Sequence, residues 1–406
     1  ERLATTRPTG IRLAMGMQRH AGGGMAVRVI TCIPGVTGDW RHPGGGAAYD
    51  TRGFFRGNWQ ALWRDDLRPP GTRRLSMTRL GEGLLDAGNP PVRALLIYGS
   101  NPVASVPDQN RVRRGLARED LFSVVIDHFQ TDTADYADLL LPGTMQTEHA
   151  DLHYAYGHVY LGWNEPAVPP PGECLPHTEI FRRLARKLGV TEPCVYDADE
   201  DLARQVLDSD DPRLAGITLE RLKREGWARL SVPTPFVPFA NGFPSPSGKL
   251  EFVSPRMAEA GLDPVPAYTP PYEAAQRDTD LARRYPLALI APAAHYFLNS
   301  MFANVRELEA RQGVPAIVLH PADAEARGLR DGDEARVEND RGAFTARVAI
   351  SDRVRPGVAA SSKGFWPKRV AGAANANATV AERDSDMGGG AVFHDNRVEV
   401  ARLPVA

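Results

Sequence analysis

The sequence predicts an α/β protein in which a parallel, nucleotide-binding-type sheet is followed by a C-terminal β-barrel. Two observations carry this reading. Three short apolar runs, ALLIY (94–98), LFSVVI (121–126) and LLLP (139–142), alternate with helix-compatible segments, the pattern of a parallel sheet built from βαβ units. From Tyr285 the texture changes to short β runs at Leu287–Ile290, Ala316–Leu319, Glu334–Glu338 and Ala343–Ile350, parted by turns such as Arg330-Asp331-Gly332-Asp333 and Asp340-Arg341-Gly342. Even spacing of short strands predicts a small barrel, here of six or seven strands over about 285–406.

The elements follow in chain order. A strand is expected at Ile11–Ala14 and a helix at Met25–Ile33, ending before Gly38. A lone strand is not a stable sheet, so residues 1–88 look like the tail of an incomplete first α/β nucleotide-binding domain. Its segment from Glu1 to about Arg68 is expected to leave apolar surface exposed. Residues 89–190 form a second α/β dinucleotide-binding domain. There Pro107–Ala117 is a helix with Asp108 in its first turn, Asp132–Ala137 is a short helical stretch, and Ile180–Leu188 is an amphipathic helix stopped by Gly189. Residues 191–283 are mixed, with a helix at Leu219–Glu225, a strand at Gly248–Phe252 and a proline-rich linker at Pro264–Tyr272; residues 284–406 are the barrel.

Composition excludes several classes of function. Forty-eight basic residues against fifty acidic ones, a net charge of −2 in 406 residues, give no field favouring nucleic acid. No apolar run approaches the ~20 residues that cross a bilayer, so no direct membrane insertion is expected. Cys32, Cys174 and Cys194 are scattered and none stands in a C-x-x-C pair, which argues against an iron–sulfur or structural zinc site in this chain. The chain opens on Glu1 with no signal-like segment and reads as a fragment. Cytoplasm is the default compartment, any export signal being expected upstream.

Three stretches together resemble the molybdopterin oxidoreductases of the dimethyl-sulfoxide-reductase and formate-dehydrogenase type, in that family's chain order. The first is GMQRHAGGG (16–24) followed by TGDWRHPGGG (37–46). The second is YGSNPVASVPD (98–108) with VVIDHFQTDTADYADLLLP (124–142), E-x-x-D at Glu148–Asp151 and PPGE at Pro170–Glu173. The third is LHPADAEARGLRDGDEARVENDRGAFTARVAISDRVRPGV (319–358), closed by Asn375-Ala376-Asn377 and MGGGAVF. The resemblance spans almost the whole chain and is weakest in its proline-rich middle.

What the resemblance implies is a C-terminal double-psi-like β-barrel and binding of molybdopterin guanine dinucleotide, in the bis form, with molybdenum or tungsten. The metal-ligating side chain and an iron–sulfur cluster would lie in a missing N-terminal part of the polypeptide, and an electron-transfer subunit is a possible partner. No catalytic residue is assigned within the chain, and no metal ligand of its own is expected. The activity implied is two-electron redox chemistry in the full-length protein, the chain alone being inactive. On the residues themselves, a dinucleotide needs backbone N–H groups at strand-to-helix turns and an acceptor for ribose or guanine. Gly99, Ser100 and Asn101 end one buried strand and Asp127 ends the next, with Thr131 beyond it. By resemblance, Gln18 and His20 approach a pterin. His149 stands where the family often has a basic residue, and His177 where it often has Asp. His295, Asn299, Ser300 and Asn377 face the cofactor from the barrel, and Trp366 covers its apolar face. Ser100, Asn101 and Asp127 are expected on one concave face, with the loop Ala294–Ser300 approaching the same cleft.

Plainer readings stand beside these. A lone GGG is more often a turn than a ligand cradle, Asp331 and Asp333 are turn residues, and His149, His153 and His158 are favoured as polar loop residues over zinc ligands. A nicotinamide dehydrogenase would need G-x-G-x-x-G where this chain has GSNPVA. The remaining rival is a non-catalytic structural or electron-transfer subunit that kept the fold without the metal; Gln18, Asn101, Asp127 and Asn377 favour a cofactor-binding form.

Overall fold

The computed structural model describes residues 1–403. Its central layer is a three-stranded parallel sheet of β3 (Ala94–Tyr98), β4 (Phe122–Asp127) and β5 (Leu139–Pro142) in that spatial order. The apolar runs form strands because one face packs Ile97 and Val125 against Val103, Val112, Leu116 and Leu121. Burial of a side chain of this size contributes about 1.5–3 kcal/mol. Helix Gln109–Leu116 starts at Asp108, which adopts φ +45° and accepts from the Arg111 N–H with its carboxylate. Helix His177–Leu188 stops at Gly189 with φ +68°, a conformation that glycine takes without a Cβ clash.

The expected barrel is closed and has six strands: β9 (Leu287–Ile290), β10 (Ala316–Leu319), β11 (Glu334–Asn339), β12 (Gly342–Ile350), β13 (Val358–Ala360) and β14 (Asn396–Arg402), in the circular order β10-β12-β11-β14-β9-β13. Strands β11 and β12 form a hairpin through Asp340-Arg341, whereas β10 with β12 and β9 with β13 run parallel although apart in sequence. Those non-local parallel pairs are what interlocked, double-psi-like connections require. In β11 the alternate residues Ala335, Val337 and Asn339 point inward, and Leu287, Ile317, Leu319, Phe344 and Val398 fill the interior.

Three expectations need correction. The sheet is not parallel throughout residues 90–190: β6 (Asp151–Tyr154) and β7 (Tyr160–Asn164) are antiparallel, and β8 (Trp227–Arg229) joins them. Only five residues connect β6 to β7, too few for a parallel crossover. Residues after 190 therefore pack with residues before them; Leu161 and Trp163 share a core with Leu207, Leu219, Leu222 and Leu230. Gly248–Phe252 forms no strand, since Ser245 donates to the Lys249 carbonyl and the Ser247 N–H to Glu251, folding the segment onto itself. Pro264–Tyr272 does not run free: Arg28 donates to the Pro264 carbonyl, and the Tyr272 N–H donates to Asp395.

The first segment holds only a two-stranded parallel pair, β1 (Gly10–Arg12) with β2 (Gly46–Ala48), beside helix Gly23–Thr37. Apolar side chains stand exposed on it as expected, Val36 at 76% and Trp63 at 63%. Among the described residues no helix is long and apolar enough to cross a membrane.

Candidate functional site

The C-terminal ends of the three parallel strands meet one another and the start of helix His177–Leu188. The Gly99 N–H donates to the Ile126 carbonyl and the Gly143 N–H to the Asp127 carbonyl, so the turns after all three strands stay in register. Gly99, with φ +57°, turns the chain sharply away. His177 lies over this edge: its ring meets Tyr98 edge-on at 5.9 Å and stacks with His128 at 6.2 Å. A Cβ on Gly143 would come within 2.7 Å of His177 Nε2, so the close approach needs glycine there. His149 Nδ1 lies 2.9 Å from Thr144 Oγ1, which fixes a third histidine beside the third strand end.

His128, Thr144, His149 and His177, with Trp163 and Asp199, line a cavity of about 470 Å³ beside these strand ends. Burial sets two protonation tendencies at this edge, one at Asp127, which ends its strand outside the cavity lining, and one at His177. Burial raises the Asp127 carboxyl above the ordinary aspartate range, against the lowering effect of the His128 N–H bond and the charges of His128 and His177. Burial also lowers the His177 imidazole, helped by His128 and His149, against the opposing pull of Asp127. A neutral imidazole has one donor and one acceptor nitrogen. His177 Nε2 is buried and has no hydrogen-bond partner among the described residues. An orphaned polar atom beside a carboxylate and a cavity fits a hydroxyl- and N–H-bearing ligand such as a nucleoside. Among the described residues no group of three or more His, Cys, Asp or Glu is placed to hold a metal ion.

Of the residues singled out in the sequence, Gly99, Asp127, His149 and His177 come together here, with exposed Ser100 following Gly99. Asn101 does not turn toward them. It is buried, donating to Asp132 at 3.2 Å and accepting from Thr133 Oγ1 at 2.8 Å, so its polar atoms are used in a loop-to-loop seam. Thr131 caps the same turn by accepting from the Ala134 N–H, and Asp132 carries the seam to the barrel by accepting from the Lys368 N–H. The expectation that Asn101 shares a concave face with Asp127 is thus corrected by its own hydrogen bonds.

The barrel residues divide similarly. Trp366 is buried among Ala104, Phe297 and Phe365, donates to the Ser300 carbonyl at 2.7 Å and lines a second cavity of about 310 Å³. Asn377 donates to the Ala104 carbonyl, locking barrel to sheet, yet its Oδ1 is buried without a partner. His295 is exposed against Tyr296, and exposed Asn299, with φ +55°, sits in the tight turn Leu298–Met301. The glycine cluster at Gly22–Gly24 is not an open cradle. The N–H groups of Gly24 and Met25 bind Asp386, while His20 Nδ1 and the Ala21 N–H bind Asp395. Gln18 is half-buried, its backbone within 2.6–2.8 Å of where a Cβ on Gly23 would lie. Sequence reasoning missed His128, Gly143 and Thr144. Treating the residues after every parallel strand alike would have found them.

Fold and site define an α/β protein with a ligand-type crevice at the strand ends of a parallel sheet, locked to a closed β-barrel. The sequence matches the family model for Molybdopterin oxidoreductase over residues 11–187 and that for the Molydopterin dinucleotide binding domain over 287–397. It is 39% identical over 400 residues to the probable oxidoreductase YoaE of Bacillus subtilis, covering 98% of this chain and 57% of that protein. To the dimethyl sulfoxide reductase DmsA of Escherichia coli it is 27% identical over 455 residues, covering 99% of this chain and 54% of that one. Acetylene hydratase from Pelobacter acetylenicus shares the fold, with a TM-score of 0.69 at 22% identity over 87% of this chain and 50% of that one. The chain belongs to the dimethyl-sulfoxide-reductase-type molybdopterin oxidoreductase family. It spans little more than half the length of these curated relatives.

Proposed function

We propose that the chain binds one molybdopterin guanine dinucleotide of a bis-pterin cofactor, and that the full-length protein is a two-electron oxidoreductase whose metal is ligated by another part of the polypeptide. The observation that carries this reading is the orphaned His177 Nε2 beside Asp127 at the strand-end crevice. When bound, the cofactor supplies oxygen-atom or hydride-equivalent transfer at molybdenum or tungsten. This chain's residues bind and orient it. The Asp127 carboxylate accepts from ribose or guanine donors, and His177 Nε2 gains the partner it lacks. Gly99 and Gly143 let the ligand and the imidazole approach the backbone. Iron–sulfur ligands and an electron-transfer partner belong to the remainder of the assembly, and the compartment follows from whatever precedes this segment. Exposed Val36, Trp63, Leu139 and Leu140 are surfaces for that further part to cover.

The test is Asp127→Ala in the full-length protein, compared with Asp331→Ala in a barrel turn, where Asp331 accepts from the Ile350 N–H. Hydrogen bonds to a charged group contribute about 1.5–3 kcal/mol. Asp127→Ala is therefore expected to lower pterin and metal content at least tenfold under limiting cofactor, and Asp331→Ala to leave it unchanged. Equal content in both variants and the wild type refutes the site.

A further inference from the structure

The second cavity, of about 310 Å³, lies against the outer wall of the barrel. Among the described residues none lines both it and the strand-end cavity. One wall is the outer face of the hairpin β11–β12, from which Glu334, Thr345 and Arg347 project while Ala335 and Ala346 turn into the barrel. The facing wall is helix Arg306–Gln312 with the turn Pro367–Arg369, clasped together where Arg369 donates to Glu309 at 3.0 Å. The floor between them is aromatic. Phe297 and Phe365 meet edge to face at 5.4 Å, and Trp366 spends its indole N–H on the Ser300 carbonyl, which leaves apolar ring to face the cavity.

The charges on the barrel wall narrow what such a cavity can take. Glu334 and Arg347 are directly opposite one another in the antiparallel register, both exposed, with their Cβ atoms about 4.5–5.5 Å apart. Neither side chain makes an ion pair or a hydrogen bond among the described residues, whereas the adjoining charges do: Arg336 pairs with Glu338 and Arg402 with Asp333. A guanidinium recognises a carboxylate by two parallel hydrogen bonds, and a carboxylate accepts from an ammonium. One carboxylate and one ammonium carried on a single carbon match this pair, and an attached ring matches the floor, where aromatic rings pack edge to face. A residue inside a peptide chain carries neither charge, and a singly charged ligand leaves one of the two side chains unmatched. The volume is at the lower end for small-ligand pockets, which begin at about 300 Å³.

We propose that this cavity binds a free aromatic α-amino acid, its ring on Phe297, Phe365 and Trp366, its carboxylate on Arg347 and its ammonium on Glu334. The site is independent of the strand-end crevice, so the test uses full-length protein with its cofactor in place. Isothermal titration calorimetry is run with L-phenylalanine, L-tryptophan, L-alanine and N-acetyl-L-tryptophanamide, which keeps the ring and lacks both charges. At least one of the two aromatic amino acids is expected to bind, at least tenfold more tightly than the amide, and L-alanine not to bind. Arg347→Met and Glu334→Gln are each expected to weaken the amino acid by at least about tenfold, since hydrogen bonds to charged groups are lost, and to leave the amide unchanged. Arg336→Met, on the same wall but paired with Glu338, should change nothing. Absence of binding by both aromatic amino acids at millimolar concentration overturns the proposal. Amino-acid affinity unchanged in both charge variants overturns the location. An amide that binds as tightly as the amino acids overturns the ligand class and marks the cavity as a socket for an aromatic side chain of a protein partner.

Discussion

His394 shows how one half-buried side chain ties the barrel to solution pH. Burial, reinforced by His20, Lys363 and Arg19 and opposed by Asp395, lowers its pKa to about 4. Its Nδ1 accepts from a backbone N–H, which requires the unprotonated nitrogen. The folded state therefore binds fewer protons here than the unfolded chain, whose imidazole titrates near 6.5. Stability from this group is complete above pH 6.5 and falls as pH drops from 6.5 toward about 4. Asp127, Asp108 and Glu382, whose carboxyls are raised mainly by burial, act in the opposite direction as pH falls. The effect of His394 thus has to be read as a difference. His394→Gln should flatten the fall in Tm between pH 6.5 and 4 relative to wild type; parallel Tm profiles would contradict it. At this scale the sequence was informative where strand ends dictate placement, as at Gly99 and Asp127, whereas His177 at a helix start entered only through the family resemblance. It was not informative for Asn101, which stands in a matching motif while the direction of its side chain is set by a partner distant in sequence, Asp132.

Among the elements, the join between sheet and barrel is a polar seam. Asn375 donates to the carbonyls of Ala104 and Phe365 and accepts from the Asn377 N–H, while Asn377 donates to the Ala104 carbonyl as well. The short helix Pro102–Ser105 is thereby held against the barrel rather than against its own sheet alone. Removing Asn375 leaves the buried Phe365 carbonyl without that donor, at a cost of about 1–3 kcal/mol. Asn375→Ala should lower the unfolding free energy by that amount in denaturant titration; a change below about 0.5 kcal/mol would show that the seam adds nothing. The strands of the barrel and of β3–β5 were legible because their apolar runs are bounded by turn residues. The strand expected at Gly248–Phe252 was not there, because a run of strand-like composition needs a partner edge. That stretch forms hydrogen bonds within itself instead. The antiparallel trio β6–β8 was missed for the converse reason: Trp227–Arg229 is too short to stand out, and its partner lies more than sixty residues earlier.

At the scale of the whole molecule, large apolar side chains stand exposed outside the hydrophobic cores. Phe122, Leu139 and Leu140 on the parallel sheet are 43–55% exposed, and parallel sheets are ordinarily covered on both faces. The 406-residue chain alone should bind a hydrophobic dye strongly, and the full-length protein should bind it much less; equal fluorescence per molecule would mean that these surfaces stay open in the longer protein. The central claim is the position of the cofactor at the strand ends. Hydrogen exchange of the full-length protein, with and without its cofactor, tests it most directly. Amides after β3, β4 and β5, at Gly99–Asn101, His128–Phe129 and Gly143–Thr144, should become protected together with the start of the helix at His177. Protection elsewhere, with these four stretches unchanged, would contradict the account.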